Sequence, residues 1–572
     1  MMKSFLAASL GCVLLAGCAV TAEEAIDVEP EATPTAQAVL SAQDSDPSVM
    51  GWMQGFPPPK DKLITQPDSN YFSFPKLRWS VCHLREFLPT EEISRGLGAP
   101  RSLPYALDDQ IDALTFTPMN SDEAMTWEES LFANYTDGML ILRQGRIVYE
   151  RYFGCLKEDG KHAIMSMTKS VTGLLAETMV AEGALDDSLL VVDVIPEIEG
   201  SAFASATVRQ VMDMTTGVKY SEDYSDPNAD VWLYSRAASP LPKPAGYEGP
   251  DGYFEYLQEV EPEGEHGDAF HYKTINSDML GWIVSRVSGQ SVTELASNRL
   301  WRPMGAELDA YQTVDAKGVP FAGGGITAGL RDLGRLGLLM LNEGTIGEER
   351  LFPAEVVQRI RAGGDRSKFQ GYPTIPNGSY TSQWWVFHNE NGAFAARGVH
   401  GQTIYVDPTA EMVIVRLASF PRAQNGSIDP TSLPAYQAVA DYLVSKSNAA
   451  QEQTDMKTES DLTGEWRFTS IGGDPVIEES QAGIVFIETG RVAGNGSCNR
   501  FSGDFSVNGS AVMIGGENGN LAATRMQCAS DAMAQEDKLF ALLASVDAFA
   551  VSVDGALALF AAGEQVATAI KN

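Results

Sequence analysis

The alternation of apolar and polar positions is clearest between Met139 and Phe153. Met139-Leu140-Ile141-Leu142, a turn at Gln144-Gly145, and Ile147-Val148-Tyr149 together predict a β-hairpin. The period then lengthens, and Met165 to Ala181 reads as an amphipathic helix with Val171, Leu174, Leu175 and Val180 among its apolar positions and Gly183 as the stop. Helical patterns recur over Asp278–Val287 and Leu330–Asn342. Residues 446–460 turn polar and are expected to be a linker. Beyond them, residues 461–572 show short β-like runs separated by Gly and Asn, with one helical segment near Met533–Ala544, which predicts a second, small β-rich domain.

The first residues follow a different pattern. Met-Met-Lys precedes an apolar run from Phe5 to Leu15, followed by Ala16-Gly17-Cys18, and this has the form of a secretory signal at residues 1–18. Residues 19–59, rich in Thr, Glu, Pro and Ala up to about Ser48, are expected to form a flexible tether, and residues 60–445 the main globular domain.

Composition narrows the function classes. Apolar residues are 44% and charged residues 20% of the 572, an ordinary globular balance. Lys and Arg total 41 against 76 Asp and Glu, a formal net charge of -35, and a field of that sign repels phosphate backbones, so no nucleic-acid partner is expected. Six Cys are too few and too scattered for a disulfide scaffold or a zinc cluster. No metal or cofactor is expected.

Candidate chemistry centres on Ser166-Met167-Thr168-Lys169. A Ser opening a helix with a Lys at i+3 places an amine one turn from the hydroxyl, where it can take its proton. The helix N-terminus favours developing negative charge. A second copy, Ser73-Phe74-Pro75-Lys76, carries a Pro that disfavours the regular helix this stacking needs. By itself the motif also fits a plain helix cap with a solvated Lys. Further along stand Tyr220-Ser221-Glu222-Asp223-Tyr224, Phe270-His271-Tyr272, Asn276-Ser277-Asp278, Gly323-Gly324-Gly325, Ser379-Tyr380-Thr381-Ser382-Gln383-Trp384-Trp385, and Arg397-Gly398-Val399-His400-Gly401-Gln402.

This serial order resembles the serine β-lactamase and penicillin-binding-protein superfamily, and within it the 6-aminohexanoate-dimer hydrolase and carboxylesterase branch. The resemblance spans roughly residues 60–445. It implies an α+β fold, an antiparallel sheet flanked by helices, and hydrolysis of a small-molecule amide or ester through an acyl-enzyme. The same resemblance implies Ser166 as nucleophile, Lys169 as base, Tyr272 as proton relay, and the N–H groups of Ser166 and Val399 as oxyanion hole. Lowered pKa values are expected for both Lys169 and Tyr272. Tyr224, Trp385, Asn276 and His400 are expected to bind substrate; the aromatic-rich span Tyr220–Tyr256 fits either a lid over the cleft or the packing of an irregular insertion, and packing is the expectation for most of its aromatics. Departures are a Thr274 where the wider superfamily has Tyr-x-Asn, and Ala396-Arg397-Gly398 in place of Lys-Thr-Gly. They weigh against the alternatives of D-Ala-D-Ala peptidase or β-lactamase activity, and leave Arg397 either to bind a substrate carboxylate or to stand solvated at a strand end. Intact Ser166, Lys169 and Tyr272 weigh against a non-catalytic binding protein of the same fold.

Two further resemblances bear on location and on the second domain. Leu15-Ala16-Gly17-Cys18 resembles the bacterial lipobox, which implies lipidation at Cys18, a membrane partner through that lipid, and a place in the cell envelope, at the outer membrane facing the periplasm. Gly496-Ser497-Cys498-Asn499-Arg500-Phe501 and Thr524-Arg525-Met526-Gln527-Cys528 resemble the META domain of envelope lipoproteins. An envelope location and the absence of His from this domain favour a Cys498–Cys528 disulfide over a zinc site. Cys82 and Cys155 are expected to be unpaired small apolar residues.

Overall fold

The computed structural model describes residues 39–65, 70–224, 226–239, 243, 245–455, 462–477, 480–516, 520–552 and 555–572. Its main sheet has seven antiparallel strands: β1 (Thr136–Arg143), β2 (Arg146–Tyr152), β3 (Ser379–Thr381), β4 (Trp384–Val386), β5 (Phe394–Gly398), β6 (Gln402–Asp407) and β7 (Met412–Ala418), in spatial order β3-β4-β5-β6-β7-β1-β2. The hairpin read from Met139–Phe153 forms the β1–β2 edge, and β7 pairs with β1 in the register Ile414↔Ile141 and Val415↔Leu140.

Both faces of this sheet are covered, and the two-residue period divides the side chains between them. Leu140, Leu142, Val413 and Val415 point into a core shared with helix α1 (Met167–Ala181), helix α2 (Ile275–Ser288) and helix α3 (Leu330–Leu341). Met139, Ile141, Met412 and Ile414 point the other way, onto Trp127 and onto Tyr436, Val439 and Leu443 of helix α4 (Asp429–Asp455). The result is the expected α+β layering of helices on both sides of an antiparallel sheet.

Two boundaries differ from the sequence reading. The chain packs from Ser41 onward, not from residue 60. Asp46 caps a short helix at Pro47–Met50, and Trp52 joins Ile64 and Trp79 in a small core. Arg78 donates to the Ala42 carbonyl and to Ser45 Oγ (3.1 Å), and Pro47 and Trp52 are buried, so residues 42–52 are held by burial and hydrogen bonds instead of acting as tether. Helix α4 also continues to Asp455, because the polar stretch after Lys446 is made of good helix formers such as Ala449, Ala450, Gln451 and Glu452. Cys18 and the rest of residues 1–38 lie outside the described residues.

The cysteine reading also needs correction. Cys82 and Cys155 form a disulfide across 73 residues. It joins the segment after Trp79 to the turn that follows β2, beside a buried cluster of Leu77, Val81 and Leu84. Cys498 and Cys528 are paired as well.

The C-terminal domain is an antiparallel sheet closed on itself. Its first strand, Gly464–Ile471, pairs both with Gly483–Ile487 and with Glu564–Lys571, the latter in the register Trp466↔Lys571. Trp466, Phe468, Phe486 and Phe549 fill the interior together with Leu539 and Leu543 of the helix Ser530–Leu543.

Candidate active site

Ser166 opens α1, where the chain leaves the short strand His162–Ala163 and turns through Met165. Met165 sits at φ 49°, a left-handed conformation that a residue with a Cβ holds only under constraint, and it presents the next side chain to the cleft. Helix α1 is fixed from behind by the turn Ser382-Gln383: Ser170 Oγ donates to the Gln383 carbonyl (2.7 Å) and Trp384 Nε1 to the Ser170 carbonyl (3.1 Å). Gly173 is required there, since a Cβ would lie 2.0 Å from the Ser382 carbonyl oxygen.

One turn on, Lys169 is 1% exposed and its Nζ donates to Ser166 Oγ at 3.1 Å and to the Gly323 carbonyl. Burial pushes its pKa below the ordinary lysine value, against the opposing pull of the Glu222 and Asp278 carboxylates. The Gly323 N–H donates to Asp278 Oδ1 (3.1 Å). Burial raises Asp278 to about 7, opposed by the Tyr234 hydroxyl and by Lys169.

Tyr272 closes the arrangement. Ser166 is close enough to favour the ionised form of the Tyr272 hydroxyl, and Lys169 Nζ lies 5.2 Å from the tyrosine ring centroid. Trp385 stacks on the same ring, with centroids 5.5 Å apart and planes 28° apart. Contrary to the expectation of a lowered value, burial, seconded by Glu222, pushes the Tyr272 hydroxyl well above 10. Tyr272 is therefore a phenol at neutral pH, able to pass a proton but not to stand as a phenolate base. Of the two groups, only Lys169 has the lowered pKa of a base.

The end of β5 brings Val399 alongside. A Cβ on Gly398 would sit 3.0 Å from the Ser166 backbone nitrogen and 2.7 Å from the Ile164 carbonyl oxygen, so the strand end runs directly against the start of α1. Val399 follows directly on that strand end and lines both lobes of the cleft described next.

The cleft has two lobes. One of about 810 Å³ is lined by Ser166 and Lys169, and its wall includes Tyr220, Tyr224, Trp232, Tyr234 and Tyr253 from the aromatic-rich span, with Val399 and His400. The span covers the cleft through the helices Asp230–Ala238 and Tyr253–Gln258. The other lobe, about 390 Å³, is lined by Tyr272, Trp385, Glu222 and Arg397, and it shares Tyr224, Val399 and Gln424 with the first.

Ser166, Lys169, Tyr272, Tyr224, Trp385, Val399 and His400 thus meet at one cleft. Asn276 does not line it. Fully buried, it accepts from Thr216 Oγ1 (2.7 Å) and donates to the Lys273 carbonyl (3.2 Å), so it braces the start of α2. Arg397 is not free for a carboxylate either, because its guanidinium pairs with the buried Asp429 and lies over the Trp385 ring at 5.3 Å. His400 adopts φ 62°, and its Nδ1 meets the Phe420 carbonyl (2.7 Å); burial pushes its pKa below 6.5. The second Ser-x-x-Lys copy is not helical between Ser73 and Lys76.

Sequence reasoning missed Glu222 and Asp278 as charged neighbours of Lys169. Glu222 accepts from the Tyr224 hydroxyl (2.7 Å) and from Thr274 N (2.6 Å) and Oγ1 (2.8 Å), which ties the two tyrosine motifs together. Acidic residues inside both quoted motifs were the available signal.

Comparison with known proteins agrees with this geometry. Residues 130–432 match the Beta-lactamase family and residues 460–572 the META domain. A 6-aminohexanoate-dimer hydrolase of Paenarthrobacter ureafaciens is 35% identical over 350 residues, which cover 61% of this chain and 86% of that one. A solved structure described as a 6-aminohexanoate-dimer hydrolase from Bacillus anthracis aligns with a TM-score of 0.61 at 30% identity, over 68% of this chain and 99% of that one.

Proposed function

The chain belongs to the Beta-lactamase family, in its 6-aminohexanoate-dimer hydrolase branch, and is a serine hydrolase; from that premise we propose that it cleaves small-molecule amide or ester bonds through an acyl-enzyme on Ser166, as a lipid-anchored protein of the cell envelope. The observation that carries the chemistry is the buried contact of Lys169 Nζ with Ser166 Oγ at 3.1 Å, with the Tyr272 ring 5.2 Å from the same Nζ.

Lys169, held towards its neutral form by burial, takes the Ser166 proton as Oγ attacks the carbonyl carbon. Negative charge on the carbonyl oxygen falls to the Ser166 and Val399 amides. The C–O or C–N bond then breaks, and Tyr272 delivers the proton to the departing atom while recovering one from Lys169. Water enters by the reverse proton path and releases the acid. A fluorophosphonate probe is expected to label Ser166, and Ser166→Ala to abolish hydrolysis of short p-nitrophenyl esters with the melting temperature nearly unchanged. Persisting turnover in that variant would move the chemistry elsewhere.

The envelope reading rests on Leu15-Ala16-Gly17-Cys18 and is supported by two disulfides, which persist in oxidising compartments. Cys18→Ala is expected to shift the protein from the membrane to the soluble fraction of a Gram-negative host. A wild-type protein already soluble and lipid-free would refute the anchor.

A further inference from the structure

Gln383 lines neither lobe of the cleft, yet its backbone and side chain bind the elements that carry all three reacting groups. It is 1% exposed and holds φ 65°, beside Ser382 at 46°, in the turn between β3 and β4. Its backbone carbonyl accepts from Ser170 Oγ (2.7 Å) on α1, the helix of Lys169 that Ser166 opens. Its Oε1 accepts from Ser277 Oγ (2.7 Å) on α2, which begins three residues after Tyr272. Its Nε2 donates to the carbonyls of Val211 and Met212 (both 3.2 Å), and its backbone N–H to that of Met212 (3.1 Å), at the end of the helix Val208–Met212. Just beyond that end, the Met214 carbonyl accepts from the N–H of His271 (3.0 Å), the residue before Tyr272. Tyr272 is thus tied to Gln383 from both sides along the chain, and Trp385 from the strand after the same turn stacks on its ring.

We propose that Gln383 is a positioning residue for proton delivery: its backbone carbonyl steadies the helix of Ser166 and Lys169, and its side-chain amide sets Tyr272 against that pair. This rests on the acyl-enzyme reading above, in which Tyr272 protonates the departing atom. An amide is the group that fits the place. The Val211 and Met212 carbonyls can only accept, so Nε2 must face them, and Oε1 is left for the Ser277 hydroxyl. A carboxylate would set acceptor against acceptor, and an aliphatic side chain would leave the fully buried Ser277 hydroxyl without its acceptor. Losing the side-chain bonds leaves Ser170 on the backbone carbonyl, so Ser166 and Lys169 keep their support while Tyr272 loses part of its own. A misplacement of about 1 Å costs about 10²-fold in rate. The loss falls on the step that Tyr272 serves: ethoxide needs a proton to depart, whereas p-nitrophenolate leaves without one.

The test compares the full chain with its Gln383→Met, Ser277→Ala and doubly substituted variants on p-nitrophenyl hexanoate and ethyl hexanoate, reading kcat/KM, which reports acylation. Tyr272→Phe is run beside them as the reference for lost proton delivery. Gln383→Met is expected to lower kcat/KM about 10²-fold for the ethyl ester and less than about threefold for the p-nitrophenyl ester. Ser277→Ala is expected to cost the ethyl ester about tenfold, and less than about twofold when Gln383 is already Met, because both changes remove the same bond. A chain that is only less stable loses both esters alike, as its folded fraction falls. Equal losses on the two esters, no loss on either, or effects of the two substitutions that simply multiply would overturn the positioning role. Should Gln383→Met fail to fold, Ser277→Ala decides alone: a loss confined to the ethyl ester supports the role, and an equal or absent loss overturns it. A Tyr272→Phe protein that loses both esters equally would instead refute proton delivery by Tyr272, and the positioning role with it.

Discussion

Lys169 works in a pocket where solvent has been replaced by a few fixed charges, so its protonation depends on what those charges do. Asp278 is one of them, and with its pKa raised to about 7 it changes state within the working range. The sign of its effect on stability follows from proton counting. Between about pH 4, where an unperturbed Asp ionises, and about 7, the folded protein holds a proton that the unfolded chain has released. Its contribution is complete below the lower value and is lost as pH rises through the upper. Asp278→Asn is expected to remove that part of the decline in stability between pH 4 and 7, measurable by denaturant titration across the range. It also removes an anion that helps keep Lys169 charged, so the acid limb of the kcat/KM profile should move to lower pH. An unmoved limb would mean that Asp278 does not reach Lys169 electrostatically.

At the scale of elements, the contact that matters is the end of β5 against the start of α1. Gly398 is extended, at φ -137° and ψ 154°, so a side chain there is excluded by space and not by backbone conformation. Gly398→Ala pushes against two backbone atoms, Ile164 O and Ser166 N, and must separate the strand from the helix. The expected outcome is a loss of about 10²–10³ in kcat with KM little changed, the scale of losing one oxyanion donor. Near-wild-type kcat would remove Val399 from that role. The elements themselves were largely legible: α1 has a Ser at its start, an apolar stripe and Gly183 after its end, all local signals. The strand order was not, because β7 pairs with β1 across some 270 residues and no local pattern encodes that partner. Asn276 was misread for a related reason. The family resemblance put it in the cleft, but α2 begins at Ile275 and turns that side chain towards Thr216. The Cys82–Cys155 pair was hidden likewise, by a separation of 73 residues.

On the scale of the whole molecule, that disulfide joins the N-terminal segment to the hydrolase sheet, and the segment supplies part of the wall of the larger lobe through Tyr71, Phe72 and Leu88. Closing a loop of this length constrains the unfolded chain by about 4 kcal/mol in the chain-entropy model. Replacing both Cys82 and Cys155 by Ser is expected to lower unfolding free energy by about 2–5 kcal/mol. It should lower kcat as well as raise KM, since Cys82 and Cys155 pack in one cluster with Met165 and Val399, next to Ser166. Denaturant titration and steady-state kinetics check the two parts separately, and unchanged stability would mean that the segment is held by its Trp52, Ile64 and Trp79 core alone.

The closed sheet of the C-terminal domain has a consequence for how the protein is made. Gly464–Ile471 cannot complete its pairing until Glu564–Lys571 exists, so a growing chain carries that strand with one edge open while nearly a hundred residues are added. Any product truncated before Glu564 keeps two raw edges, on Gly464–Ile471 and on Ala556–Ala561, each a template for pairing with another chain. Synthesis of this domain is therefore all or nothing: a finished barrel hides its edges, and an unfinished one advertises itself to proteases and to its own kind.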